Sequence, residues 1–88
     1  MVGKYRLRKT GRDYYWIEEF DLAANKYVLR ATASYLTLKE KVLKICDNAG
    51  LAELMLASTA SIEEDESRAF VLEFNTETQR LEARVEEK

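Results

Sequence analysis

Side chains that commonly do chemistry are sparse in this chain of 88 residues, and their spacing suits none of the familiar sites. There is no histidine, which removes the commonest general base and the commonest transition-metal ligand. A single cysteine, Cys46, cannot build a zinc site. As a nucleophile it would lack a histidine partner, and it falls on the apolar side of a helical pattern, where packing is the better reading. The run Glu63-Glu64-Asp65-Glu66 offers oxygen ligands to a hard cation, but it lacks the alternating ligands and turn glycine of a calcium loop. It reads as a solvated acidic loop. No glycine-rich phosphate loop and no nucleophile elbow occur. The sequence therefore predicts a protein that is not an enzyme, with no catalytic residue, no cofactor, no metal and no small-molecule substrate.

What remains is charge. The first twelve residues carry Lys4, Arg6, Arg8, Lys9 and Arg12 and no acid, whereas the chain from Glu53 onward carries ten acids against four bases. A net charge of -2 thus conceals a basic end and an acidic end. Such placement bears on partners rather than on fold.

These side chains have to be positioned by a small fold. The length predicts one domain over residues 1–88, with room for one sheet and one or two helices. Apolar residues at 47% and charged ones at 34% are typical of a folded domain. A lone cysteine suits a reducing compartment. The N-terminus has no apolar signal-peptide core, and no apolar run approaches the ~20 residues of a membrane span. The expectation is a cytoplasmic protein that does not enter a membrane.

Residues 4–9 alternate charged and apolar side chains, the period of a strand with one wet face. Thr10-Gly11-Arg12-Asp13 predicts a tight turn with Gly11 at positive φ. Tyr14–Phe20 and Tyr27–Ala33 read as the second and third strands. The segments Phe20–Tyr27 and Phe74–Leu81 share one pattern: aromatic, Asp or Asn, three residues, amide, base, apolar. Each predicts a hairpin loop in which Asp21 or Asn75 binds the backbone two residues on. Asn25 and the less suitable Gln79 would adopt the left-handed conformation. Phe20 with Tyr27, and Phe74 with Leu81, are expected to flank these loops on the core side.

A capping box of Thr37 with Glu40 predicts a helix over 37–49, with Leu38, Val42, Ile45, Cys46 and Ala49 inward and Gly50 as its stop. Residues 51–58 fit either a short helix or an extra strand. The outline of a helix-turn-helix over Val42–Thr59 fails, because Ala52–Ala60 has no Arg, Lys, Asn or Gln to contact a base edge and Glu53 would repel phosphate. Fold class is therefore α+β. An antiparallel sheet, made of an N-terminal three-stranded meander and a C-terminal hairpin, packs on a central amphipathic helix.

Strand parity assigns the faces. A two-residue turn at Gly11 puts Tyr5 and Leu7 with Tyr14, Trp16 and Phe20 on the core side. Lys4, Arg6, Arg8, Tyr15, Ile17, Val28 and Arg30 then share the open face. Glu18 on the apolar side is a cost that a bulge at Glu18-Glu19 would relieve. A three-residue first turn would exchange the faces. The open face as assigned is basic and aromatic, and predicts the binding of another protein, self-association included. The binder would be an accessory factor or an inhibitor of the kind that phages and mobile elements encode. The alternative is nucleic acid held by the same face, which the acidic balance at pI ≈ 5.2 disfavours.

Overall fold

The computed structural model describes residues 3–86. Five strands and two helices follow in the order β1 (Gly3–Gly11), β2 (Tyr14–Asp21), β3 (Lys26–Ala33), α1 (Tyr35–Ile45), α2 (Ala49–Ser58), β4 (Ser67–Asn75) and β5 (Arg80–Val85). The sheet order is β3-β2-β1-β4-β5, antiparallel throughout. The expected α+β architecture is thus present: a meander and a hairpin meet where β4 pairs with β1. Both helices lie on one side, α1 over β2 and β3, α2 over β4 and β5.

The two hairpin loops are built alike, as their shared pattern predicts. Asp21 Oδ1 accepts from the backbone N–H groups of Ala23 at 2.9 Å and Ala24 at 3.3 Å. Asn75 Oδ1 accepts from Glu77 at 2.9 Å and Thr78 at 3.4 Å. Asn25 and Gln79 close the loops at φ 54° and 59°, the left-handed conformation that an amide side chain tolerates. Residues 80–85 form the second strand of the C-terminal hairpin, in which Leu81, Ala83 and Val85 extend the apolar row of Phe70, Leu72 and Phe74.

The helices differ from expectation in their bounds. Helix α1 starts two residues early, with Ser34 as N-cap and Thr37 in the role given to Glu40. The Ser34 N–H donates to Thr37 Oγ1 at 3.1 Å. Asp13 Oδ1 accepts from Tyr35 N–H at 2.9 Å, which ties the first turn to the helix N-terminus. The chain breaks at Cys46–Asn48, before Gly50 rather than at it. Asn48 caps α2 through a 2.9 Å bond from Leu51 N–H. Residues 51–58 are therefore helical, and Gly50 lies in the first turn of that helix.

The core is formed by Tyr5, Leu7, Tyr15, Ile17, Ala33, Phe70 and Leu72 from the sheet. Leu38 and Val42 of α1, Leu51, Ala52 and Met55 of α2, and Ile62 complete it. Two of these correct the sequence reading: Tyr15 and Ile17 are buried under the helices, not on the open face. Thr10 is the cause. Arg12 and Asp13 make a two-residue turn closed by Gly11 opposite Tyr14, but the register then shifts, and Lys9 opposes Tyr15. The extra residue in β1 exchanges the faces of β1 relative to β2. Gly11 needs no positive φ, and among the described residues no glycine has one.

Candidate functional site

The uncovered side of the sheet is the candidate surface. Alternation from the observed register gives it Lys4, Arg6 and Arg8 of β1, Tyr14, Trp16, Glu18 and Phe20 of β2, and Tyr27, Leu29 and Thr32 of β3. From the other half come Ser67, Ala69, Val71 and Glu73 of β4, with Arg80, Glu82 and Arg84 of β5 and Glu86 beyond it. Of the seven residues expected here, Lys4, Arg6 and Arg8 are present. Tyr15 and Ile17 are core residues.

Val28 and Arg30 are displaced by a second bulge. Glu18 opposes Leu29 but Ile17 opposes Ala31, so Arg30 is the extra residue. Val28, opposite Glu19, belongs to the helix side. Arg30 pairs there with Glu19, at a margin that neither helix covers. The Phe20–Tyr27 pair forms as expected but on the open face, with rings 5.3 Å apart and edge to face. Phe74 and Leu81 oppose each other on the helix side, yet remain half-exposed beyond α2.

Glu18 organises the open face. The residue is only 6% exposed, and its carboxylate accepts two bonds from the Arg6 guanidinium, from Nε at 2.8 Å and Nη2 at 3.1 Å. This forked pairing satisfies a charge that burial would otherwise penalise. The same guanidinium lies 4.2 Å from the centre of the Tyr27 ring. Lys4 sits 5.5 Å from the Phe20 ring and 2.9 Å from a Glu86 carboxylate oxygen. Arg84 reaches Glu73 at 2.5 Å. The hydrogen bonds to Glu18 and Glu86 raise the pKa values of Arg6 and Lys4, so both cations are held in their charged form. Val71 is nearly inaccessible on this side, shielded by the stems of Lys4 and Arg84, its cross-strand neighbours.

The face thus has two halves. Tyr14, Trp16, Phe20, Tyr27 and Leu29 make an aromatic and apolar half on β2 and β3, in which Tyr14 and Leu29 are 47% and 48% exposed. The other half is charged but largely self-compensated. Tyr14, Trp16, Phe20, Tyr27 and Leu29 escaped the sequence reading because one bulge residue reversed their parity. A signal did exist: the face assignment that buried Glu18 in the core left its charge without a partner. The acids Glu63–Glu66 lie apart, in an exposed loop whose backbone continues the β1 edge. Lys9 N–H donates to the Glu66 carbonyl at 2.9 Å, and Asp65 N–H to the Lys9 carbonyl at 2.8 Å.

Among the described residues, no three Cys, Asp or Glu side chains converge as metal ligands. Nor is any helix among them long and apolar enough to cross a membrane. Comparison with family models, with characterised proteins and with solved structures returns no match, so function has to be read from this geometry.

Proposed function

We propose that the chain is a non-enzymatic binding domain that takes another protein on its open sheet face, as an accessory factor or an inhibitor. One observation carries the choice of partner class. Of the bases on this face, Lys4, Arg6 and Arg84 are each paired with a carboxylate of the same face. Nucleic acid draws its affinity from cations free to replace condensed counterions. Arg8 and Arg80 have no such partner among the described residues, but a surface that engages three of its five cations forfeits much of that gain. An exposed Tyr beside a part-buried Trp, with a few oriented Arg groups, is instead the composition of protein interfaces. The single cysteine fits action in a reducing compartment, the cytoplasm.

The test is affinity capture from native lysate, with and without nuclease, comparing the wild type with Tyr14→Ser/Leu29→Ser. Both side chains are about half-exposed, so the substitutions leave the core intact. Loss of a nuclease-resistant partner in the variant supports the reading. Capture that is unchanged in the variant removes this face from consideration, and capture abolished by nuclease assigns it to nucleic acid.

A further inference from the structure

We propose that the outer edge of β5 pairs with the same edge of a second copy of this chain, antiparallel about a two-fold axis at Ala83. The edge adjoins the face assigned above and shares Arg80, Glu82, Arg84 and Glu86 with it, but the pairing does not depend on that reading. The Glu86 N–H donates to the Ala69 carbonyl at 2.8 Å. Given the register of β4 with β5, these residues are directly opposed and hydrogen-bonded. Alternation then turns the backbone groups of Arg80, Glu82 and Arg84 toward β4, and those of Leu81, Ala83 and Val85 outward. The Asn48 amide, which reaches the Leu81 carbonyl at 3.4 Å from outside the sheet, agrees with that assignment.

A row of outward N–H and C=O groups is a template for another strand. The opposite edge of the sheet, β3, carries a bulge at Arg30, a common means of blunting an edge. Strand β5 is regular against β4 and has neither lysine nor proline. Helix α2 touches its outer edge at one point, where the cap Asn48 takes one lone pair of the Leu81 carbonyl; a furrow lined by Asn48, Gly50, Leu81 and Ala83 runs along it.

Charge and the number of backbone bonds together select the register, since axes at Leu81 or Val85 also oppose complementary charges but engage fewer of the outward residues. Outward residues must meet outward residues, which restricts a two-fold pairing to axes at whole residues. An axis at Glu82 sets Glu82 against its own copy and Arg84 against Arg80. An axis at Arg84 sets Arg84 against itself and Glu82 against Glu86. An axis at Ala83 opposes Glu82 with Arg84 and Arg80 with Glu86 on the open face, and Leu81 with Val85 on the helix side. Every opposed charge is then complementary, and about six backbone hydrogen bonds form. Leu81, 42% exposed in one copy, gains an apolar neighbour. Because the axis stands perpendicular to the sheet, both pairs of helices lie on one side, and the two open faces become continuous.

Sedimentation velocity over a micromolar to millimolar range tests this, with folding of each variant checked by circular dichroism. The wild type is expected to dimerise. Glu82→Arg or Arg84→Glu alone places like charges opposite each other twice per dimer and should weaken association about tenfold or more. The double variant restores complementarity and should restore the dimer. Ala83→Pro removes an outward donor without touching the β4 ladder and should give a folded monomer. In Ala83→Cys the two cysteines face each other at a Cα separation of about 5.5 Å, within disulfide reach. Oxidation should therefore link residue 83 to residue 83. A wild type that stays monomeric at millimolar concentration overturns the proposal. So does a dimer indifferent to Ala83→Pro and to both charge reversals.

Discussion

Removing the Arg6 guanidinium should destabilise the domain far more than the loss of an ordinary surface charge. In Arg6→Met the aliphatic stem is approximated and the forked pair with Glu18 is lost. Glu18, a residue only 6% exposed in the intact chain, then keeps its carboxylate with the donor gone. Stranding one member of a buried pair costs about 3–5 kcal/mol. The Arg6 side chain retains 28% of its exposure, so water screens part of the field, and about 2–3 kcal/mol is the appropriate share. Loss of the cation–π contact with Tyr27 adds about 0.5–1 kcal/mol. The expected penalty is about 3 kcal/mol, out of a total stability on the order of 5–10 kcal/mol for a domain of this size. That corresponds to a melting temperature lower by about 12–24 °C.

Urea unfolding followed by fluorescence of Trp16, which lies on the same face, gives the number directly. Glu18→Met should cost less, about 1 kcal/mol, because the remaining guanidinium can reach water. Arg6→Met/Glu18→Met removes both charges and should recover most of the loss, costing about 1 kcal/mol in all and giving a coupling of about 3 kcal/mol. The reasoning fails if Arg6→Met lies within about 0.5 kcal/mol of wild type. It fails equally if the two single effects simply add.

Deleting Thr10 removes the bulge residue, turns the side chains of Tyr5 and Leu7 to the wrong face of β2, and should abolish cooperative unfolding as seen by calorimetry; inserting a residue between Arg12 and Asp13, beyond the bulge, should leave it. Ile17→Ala should cost about 2–4 kcal/mol whereas Leu29→Ala should stay within about 0.5 kcal/mol, an order that reverses if Ile17 is the exposed member. Burial pushes the phenols of Tyr5, Tyr15 and Tyr27 above the ordinary value of 10.0; unfolded phenols then lose their protons first, so their contribution is whole below pH 10.0 and is lost as pH rises through the folded values. Melting temperature should thus fall above that pH, less steeply in Tyr5→Phe, and a flat profile that far into alkali would contradict it.

How much of this was legible in the sequence depended on the range of the chemistry. The loops after Asp21 and Asn75 are local: an Asx side chain meets two N–H groups within three residues, and the pattern repeats. The pairings Phe20 with Tyr27 and Glu18 with Leu29 follow from those loops and are present. Helix bounds were less legible, because the cap of α1 draws on Asp13, 22 residues away. The cap of α2, Asn48, lies within the span 37–49 that reads as one continuous helix, so the break there left no signal.

The face of β2 is where the sequence misled, and the reason is physical. Tyr14-Tyr15-Trp16-Ile17 is apolar at every position, so alternation carries no information about which pair turns inward. Only the register against β1 decides, and a single bulge residue, Thr10, sets that register. The wrong assignment did betray itself, since it put Glu18 among apolar residues with no partner. In the folded chain Glu18 opposes Arg6, and the conflict disappears. A buried charge left unsatisfied by a proposed register is therefore an argument for the register one residue away. The exchange also alters the chemistry of the surface. Tyr14, Trp16, Phe20, Tyr27 and Leu29 replace Tyr15, Ile17, Val28 and Arg30, and a carboxylate enters the middle of the basic row. A row of bases that the other register would leave without acids becomes one in which Lys4, Arg6 and Arg84 are already engaged by carboxylates, beside an aromatic half in which Tyr14 and Leu29 stay half-exposed.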